Sequence, residues 1–290
     1  MRVFAAGLLA ILASLFFGES EGLRSLLTPE CGKTRRPSRV RRVVGGHDAD
    51  RFANPWMVMV IRDNGFCSGS LITSLFVLTS ASCLFRSPKE VRLGEYDTNC
   101  TNGDCLSRRL VIGIDKQFEH PQYDVNQGTK NDIALLRMAR EVVYSDYIRP
   151  ICLAVDMALP RLPQIFTATG WGRTNISETS HILQTTTLNL QNSDLCNDIF
   201  FQKLDASQLC VGSEKSDTCF GDSGGPLTAR IRYNIVREGT RNRKTTRTFQ
   251  FGIVSFGSSS CNGLGIYTNV NHYTNWIVNT IANANTPRRG

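Results

Sequence analysis

Apolar and polar positions alternate along this chain in three distinct regimes. Behind Arg2, Phe4 to Phe17 form a nearly unbroken apolar run, followed by the small residues Gly18 and Ser20. Beyond Trp56 the apolar positions come in short bursts separated by turn residues. Trp56-Met57-Val58-Met59-Val60-Ile61 reads as a buried strand, and Asn64-Gly65 just after it is a hairpin-turn signal. Ser70-Leu71-Ile72, Phe76-Val77-Leu78, Ile133 to Met138, Phe251 to Phe256 and Gly265 to Thr268 repeat the pattern. Many short strands divided by turns predict an all-β sandwich or barrel. Near the end the period changes. Tyr273, Trp276, Ile277, Thr280 and Ile281 fall at helical spacing, which predicts one amphipathic C-terminal helix laid against the barrel.

The first apolar run has the layout of a secretion signal and is too short, and wrongly flanked, for a membrane span. Residues 1–22 are therefore read as a signal peptide, 23–42 as a short basic segment, and 43–290 as one domain. A secreted, extracellular protein is expected. Ten cysteines, an even number, fit disulfides in that compartment. No CxxC pair or Cys/His cluster points to a metal, so the metal assignment is none.

The formal charge of +8 is unevenly spread. Residues 1–42 carry +5, and the stretch from Arg230 to Arg247 carries +6, so the rest of the domain is mildly acidic. Basicity confined to two patches argues against a nucleic-acid partner. The stretch Arg230 to Arg247 is a candidate surface for sulfated glycans or an acidic partner.

Candidate chemistry lies in three segments: Val77-Leu78-Thr79-Ser80-Ala81-Ser82-Cys83, Asn131-Asp132-Ile133-Ala134-Leu135 and Gly221-Asp222-Ser223-Gly224-Gly225-Pro226. In order and spacing they resemble the chymotrypsin/trypsin family, in its secreted arthropod form, from about Cys31 to Ile281. The resemblance implies two six-stranded antiparallel Greek-key barrels with a C-terminal α-helix and an active site between the barrels, so that 43–290 is a trypsin-like domain. It makes Asp132 the triad acid and Ser223 the nucleophile, with the backbone N–H groups of Gly221 and Ser223 as oxyanion hole. In the family the segment ending in Cys83 usually reads Ala-Ala-His-Cys. Here Ser82 stands where the histidine belongs. A serine hydroxyl is a poor nucleophile at neutral pH without an adjacent base. None of His47, His120, His181 and His272 falls in the required segment, and His120-Pro121 reads as a surface loop.

Other family features are kept. Asp217 matches the pocket-floor acid of Arg/Lys-specific members, and Gly257 and Gly265 match the wall glycines. Arg42-Val43 matches the activation cleavage site, and Asp222 would receive the freed Val43 amine. By resemblance the disulfides are Cys67–Cys83, Cys196–Cys210, Cys219–Cys261 and the tether Cys31–Cys152, leaving Cys100 and Cys105 to clasp their own loop. One cysteine in the basic segment is too few for a six-cysteine clip domain. Asn99-Cys100-Thr101 and Asn175-Ile176-Ser177 are glycosylation sequons. Glu95 and Asp104 fall near the family's calcium loop, where a solvated loop is the plainer reading; no cofactor is expected. The expectation is a catalytically inactive serine protease homolog that binds or regulates. Its partners would be proteins with exposed Arg or Lys, other proteases, or their inhibitors. The alternative is an active serine endopeptidase with Arg/Lys specificity.

Overall fold

The computed structural model describes residues 29–35, 47–100, 108–124, 130–155, 161–172, 179–213, 222–235, 243–257 and 263–285. Among them, β2 (Met57–Arg62), β3 (Gly65–Leu71), β4 (Phe76–Thr79), β5 (Glu90–Leu93), β6 (Leu110–Glu119) and β7 (Ala134–Met138) close into a barrel in the order β2-β3-β4-β7-β6-β5. A second ring of six follows: β8 (Ile165–Gly170), β9 (Gln184–Leu190), β10 (Gln208–Ser213), β11 (Pro226–Ile235), β12 (Arg243–Gly257) and β13 (Gly263–Asn269). Its order is β9-β10-β13-β12-β11-β8, closed by the β8–β9 pairing, and the short β1 (His47–Asp48) adds to β9. In each ring three consecutive strands pair in order and the fourth returns beside the first, which is the Greek-key pattern. All strand pairs within the rings are antiparallel. Closure leaves neither ring a free sheet edge.

The unbroken apolar runs follow from two-sided burial. In β2, Val58 and Val60 point into the first barrel, while Met57 and Met59 point out into a separate core. β4 and β7 divide the same way: Val77, Leu136 and Met138 face inward, and Phe76, Leu78 and Leu135 face outward. The outward core also holds Trp171 and Ile253 of the second half, and Tyr273, Ile277 and Ile281 of the C-terminal segment. A strand buried on both faces cannot alternate polar and apolar residues. By contrast β5 alternates, with Val91 and Leu93 buried and Glu90 and Arg92 partly exposed.

The predicted C-terminal helix is α2 (Thr274–Asn285), entered from a 3-10 turn over Val270–Tyr273. It lies on the first barrel, and the Arg137 guanidinium of β7 donates to the Ala284 carbonyl in its last turn at 2.9 Å. A second helix, α1 (Ser193–Phe200), went unseen in the sequence. Its start is marked by Asn192, whose side chain accepts from the Asp194 N–H. The turn that begins at His120-Pro121 does reach the surface at Pro121, but the His120 side chain does not. It is buried, with its ring 5.2 Å from those of both Tyr273 and Trp276. The helix covers what the sequence left looking solvent-facing. Among the described residues, no helix is long and apolar enough to cross a membrane.

Ile277 is fully buried in the core that joins both barrels to α2. Ile277→Ala should therefore destabilise the fold by about 2–5 kcal/mol, seen as a lowered urea midpoint. A midpoint unchanged within error would show that α2 adds nothing to the core.

Candidate active site

Ser82 sits in a 3-10 helix, Ala81–Arg86, that follows β4. Cys83 next to it is bonded to Cys67 of β3, which fixes this turn to the barrel wall. Asp132 lies two residues before β7 and is 3% exposed. The Ser82 N–H donates to Asp132 Oδ1 at 2.8 Å, and the Ser82 hydroxyl to Oδ2 at 3.1 Å. So the structure brings Ser82 and Asp132 together. The side chain that meets the acid is a hydroxyl, and a second hydroxyl, Ser80 Oγ, lies 2.9 Å from Ser82 Oγ.

Two further partners come from the other barrel. Ser255 of β12 donates its hydroxyl to Asp132 Oδ2 at 2.6 Å, and Thr268 of β13 donates to the Asp132 carbonyl at 2.8 Å. The sequence reading took both only as strand positions. A hydroxyl in an apolar β-run was the available signal, since a buried hydroxyl needs a partner. Among the described residues no cation lies in ion-pair range of Asp132.

Ser223 lies at the seam of the two barrels. Its carbonyl accepts from the Ser68 N–H of β3 at 2.8 Å, while its hydroxyl has no hydrogen-bond partner among the described residues. Gly224 beside it has φ +81°, and an added Cβ would collide with the Thr79 hydroxyl and the Ser68 carbonyl. The sharp turn at the nucleophile position is thus imposed by contact with the first barrel. The Asp222 carboxylate accepts from the Gly172 N–H at 2.9 Å and packs so tightly on Gly170 and Gly172 that neither could carry a side chain.

The histidines are placed elsewhere. His181 shares a hydrogen bond with Thr98, His272 meets Tyr273 edge-on, and His47 opens β1. Burial, and next the nearby His272, push the His120 imidazole below its ordinary range. No described contact joins any of them to Asp132 or Ser223. The disulfides Cys31–Cys152, Cys67–Cys83 and Cys196–Cys210 are present, and no described cysteine is free. Gly257 and Gly265 face each other across β12 and β13. Asp217, Cys219, Gly221, Cys261, Arg42, Val43, Cys105, Asp104 and Asn175 lie outside the described residues. Asn99 is exposed, and Cys100 beside it is disulfide-bonded. Glu95 is buried and ion-paired with Arg109 at 3.4 Å, so its carboxylate is already engaged. Among the described residues no group of three metal-binding side chains converges.

A model of the family described as Trypsin matches residues 43–277. This chain belongs to the trypsin family. It is 37% identical over 291 residues to Serine protease 7 of Drosophila melanogaster, spanning 90% of this chain and 70% of that one. It is 34% identical over 276 residues to the CLIP domain-containing serine protease B15 of Anopheles gambiae, spanning 86% and 71%. The crystal structure of the Drosophila Grass clip serine protease of the Toll pathway matches with a TM-score of 0.72 at 29% identity, over 90% of this chain and 77% of that one. The trypsin-family barrels thus stand here with their seam occupied by serines around one acid.

Burial drives the Asp132 carboxyl above the usual carboxylate range, and the hydrogen bonds from Ser255 and then Ser82 only partly oppose it. A group whose titration is raised on folding binds more protons in the native state. Stability is then lost as pH rises from the unfolded value toward the folded one, and the loss persists above it. Asp132→Asn removes that charge. Relative to wild type, its melting temperature should rise as pH goes from about 4 to about 8. A pH-independent difference between the two proteins would refute the burial penalty.

Proposed function

We propose that this chain is a secreted trypsin-family protease homolog that binds rather than cleaves, and that it regulates a proteolytic cascade by competing for Arg- or Lys-bearing partners. The observation that carries this reading is the cap on Asp132. Its carboxylate is engaged by Ser82 and Ser255, and no imidazole stands between it and Ser223.

In a working triad the imidazole accepts the hydroxyl proton, and the acid stabilises the imidazolium. A hydroxyl at that position cannot become cationic near neutral pH. It can only donate to Asp132, as Ser82 does. In a serine protease of unrelated fold, losing the base alone costs about 10⁶ in turnover, or roughly 8 kcal/mol of transition-state stabilisation. What remains is too slow for digestion or for a cascade step.

Binding needs less. By the family resemblance Asp217 would form the pocket floor and Gly257 and Gly265 its walls, and that acid would pair with a guanidinium or ammonium. Cleavage after Arg42 would free Val43 to reach Asp222, whose carboxylate already sits against Gly172. The relatives include proteins named Melanization protease 1 and Spaetzle-processing enzyme of Drosophila melanogaster. A homolog with the pocket and without the base would occupy the substrates or inhibitors of such enzymes and leave them uncut.

The test is to cleave the protein after Arg42 and expose it to a fluorophosphonate probe and an Arg-ester substrate. Wild type should stay unlabelled, and Ser82→His should gain turnover by about 10³-fold or more. Rapid wild-type labelling that disappears in Ser223→Ala would refute the inactive reading and favour the active endopeptidase. The pocket is tested separately. Asp217→Ser should weaken binding of a small aryl amidine by about tenfold or more, the loss of one charge-assisted pair. Unchanged amidine affinity would remove Arg/Lys recognition from the proposal.

A further inference from the structure

The short segment before the domain is clamped to the second barrel. Cys31 is bonded to Cys152, the Gly32 N–H donates to the Pro150 carbonyl, and the Gly32 carbonyl accepts from Thr248 of β12. Gly32 has φ +61°, and a Cβ there would strike the Thr248 backbone. The chain must therefore turn tightly onto β12, and that turn delivers Lys33 and Arg35 to the base of the β11–β12 hairpin.

A pocket of about 230 Å³ opens at this junction. Lys33 and Arg35 come from the tether, Arg230 and Arg247 from the hairpin, and Arg149 from the loop before Cys152. Asp146 is the one acid on its walls, and the remaining lining is glycine and threonine. Only two carboxylates balance the five cations. Glu30 pairs with Lys33 and Arg149, and Asp146 with Arg149 and Arg35. Arg230 and Arg247 make no ion pair among the described residues. Such a concentration of guanidinium groups binds oxyanions strongly, because each planar fork can hold two oxygens at once.

We propose that this pocket is a composite anion site, built jointly by the tether and the β11–β12 hairpin, that takes a sulfate group of a sulfated glycan chain. Two features favour a glycan over an acidic peptide. Among the described residues no aromatic or aliphatic side chain lines the pocket, Phe52 lying under Arg35 outside it, whereas protein partners are anchored by such side chains. The basic track also continues up the hairpin through exposed Arg232 and Lys244, which suits a repeating polyanion better than a single acidic residue. The site goes beyond the reading of the cleft and does not rest on it, since it contains neither Ser82, Asp132 nor Ser223. Cleavage after Arg42 would leave the site whole, because Cys31–Cys152 holds the tether in place.

The experiment measures binding of a heparin octasaccharide to the full secreted chain by calorimetry at physiological salt, beside a desulfated octasaccharide and a polyglutamate peptide. The sulfated sugar alone should bind. Arg230→Ala with Arg247→Ala, and separately Lys33→Ala with Arg35→Ala, should each weaken it by about tenfold or more. Lys89→Ala with Lys203→Ala, two exposed lysines outside the pocket, should change it by less than about twofold. Equal loss in the lysine control would mean diffuse charge and overturn the site. Loss in the hairpin pair without loss in the tether pair would overturn its composite character. Polyglutamate binding as well as the sulfated sugar would overturn the glycan assignment. Each variant's thermal melt checks that it folds. The readout is indifferent to turnover, so its failure and the failure of the inactive-cleft reading are separable.

Discussion

Asp132 is one buried carboxylate held by groups from both barrels. Ser82, from the turn after β4, donates twice to its side chain. Ser255 of β12 and Thr268 of β13 reach across the seam to its side chain and its carbonyl. A buried charge without hydrogen bonds costs several kcal/mol, so these donors and the packing between the barrels require one another. The same seam carries the Ser70–Gln250 hydrogen bond at 2.6 Å and the Ser68–Ser223 backbone bond. Relative placement of the two halves is set by this line of polar contacts as much as by the apolar core beside it.

That arrangement separates structure from chemistry. In a Ser-His-Asp triad the acid serves an imidazole; here the donors around Asp132 are hydroxyls and a backbone N–H, with no cation in ion-pair range among the described residues. Asp132 bridges the barrels, and the turn beside Ser223 needs glycine at 224 because Thr79 and Ser68 leave no room for a side chain. Nothing in the described packing of the seam requires an imidazole.

Much of this was legible in the residues. The strand bursts, the Asn64-Gly65 hairpin and the C-terminal helix came from periodicity, and the motifs singled out Ser82 and Asp132, which the fold brings into contact, and Ser223, whose carbonyl meets Ser68 at the seam. Less visible was what depends on contacts distant in sequence. Ser255 is 123 positions from Asp132, and no local pattern distinguishes its hydroxyl from that of any strand serine. His120 looked solvent-facing because the covering residues, Tyr273 and Trp276, lie far along the chain. α1 was missed because its eight residues carry a cap but too short a period to stand out. The two barrels share one strand permutation although no internal repeat shows in the sequence. Ring closure and turn geometry constrain topology more tightly than residue identity.

The tether shows a different kind of dependence. Gly32 is needed for a turn against Thr248, and the disulfide beside it holds that turn, yet the result is electrostatic. Two cations from a described stretch without strand or helix, residues 29–35, are brought beside Arg230 and Arg247, which the barrel alone would leave as an ordinary basic hairpin. Isolated surface charges are worth little because water screens them; charges converging on one concave space act together on one ligand. Lys33 and Arg35 of one basic patch and Arg230 and Arg247 of the other, far apart in the sequence, are therefore neighbours in the fold. Covalent attachment of the tether, and not the sum of the charge, makes it so.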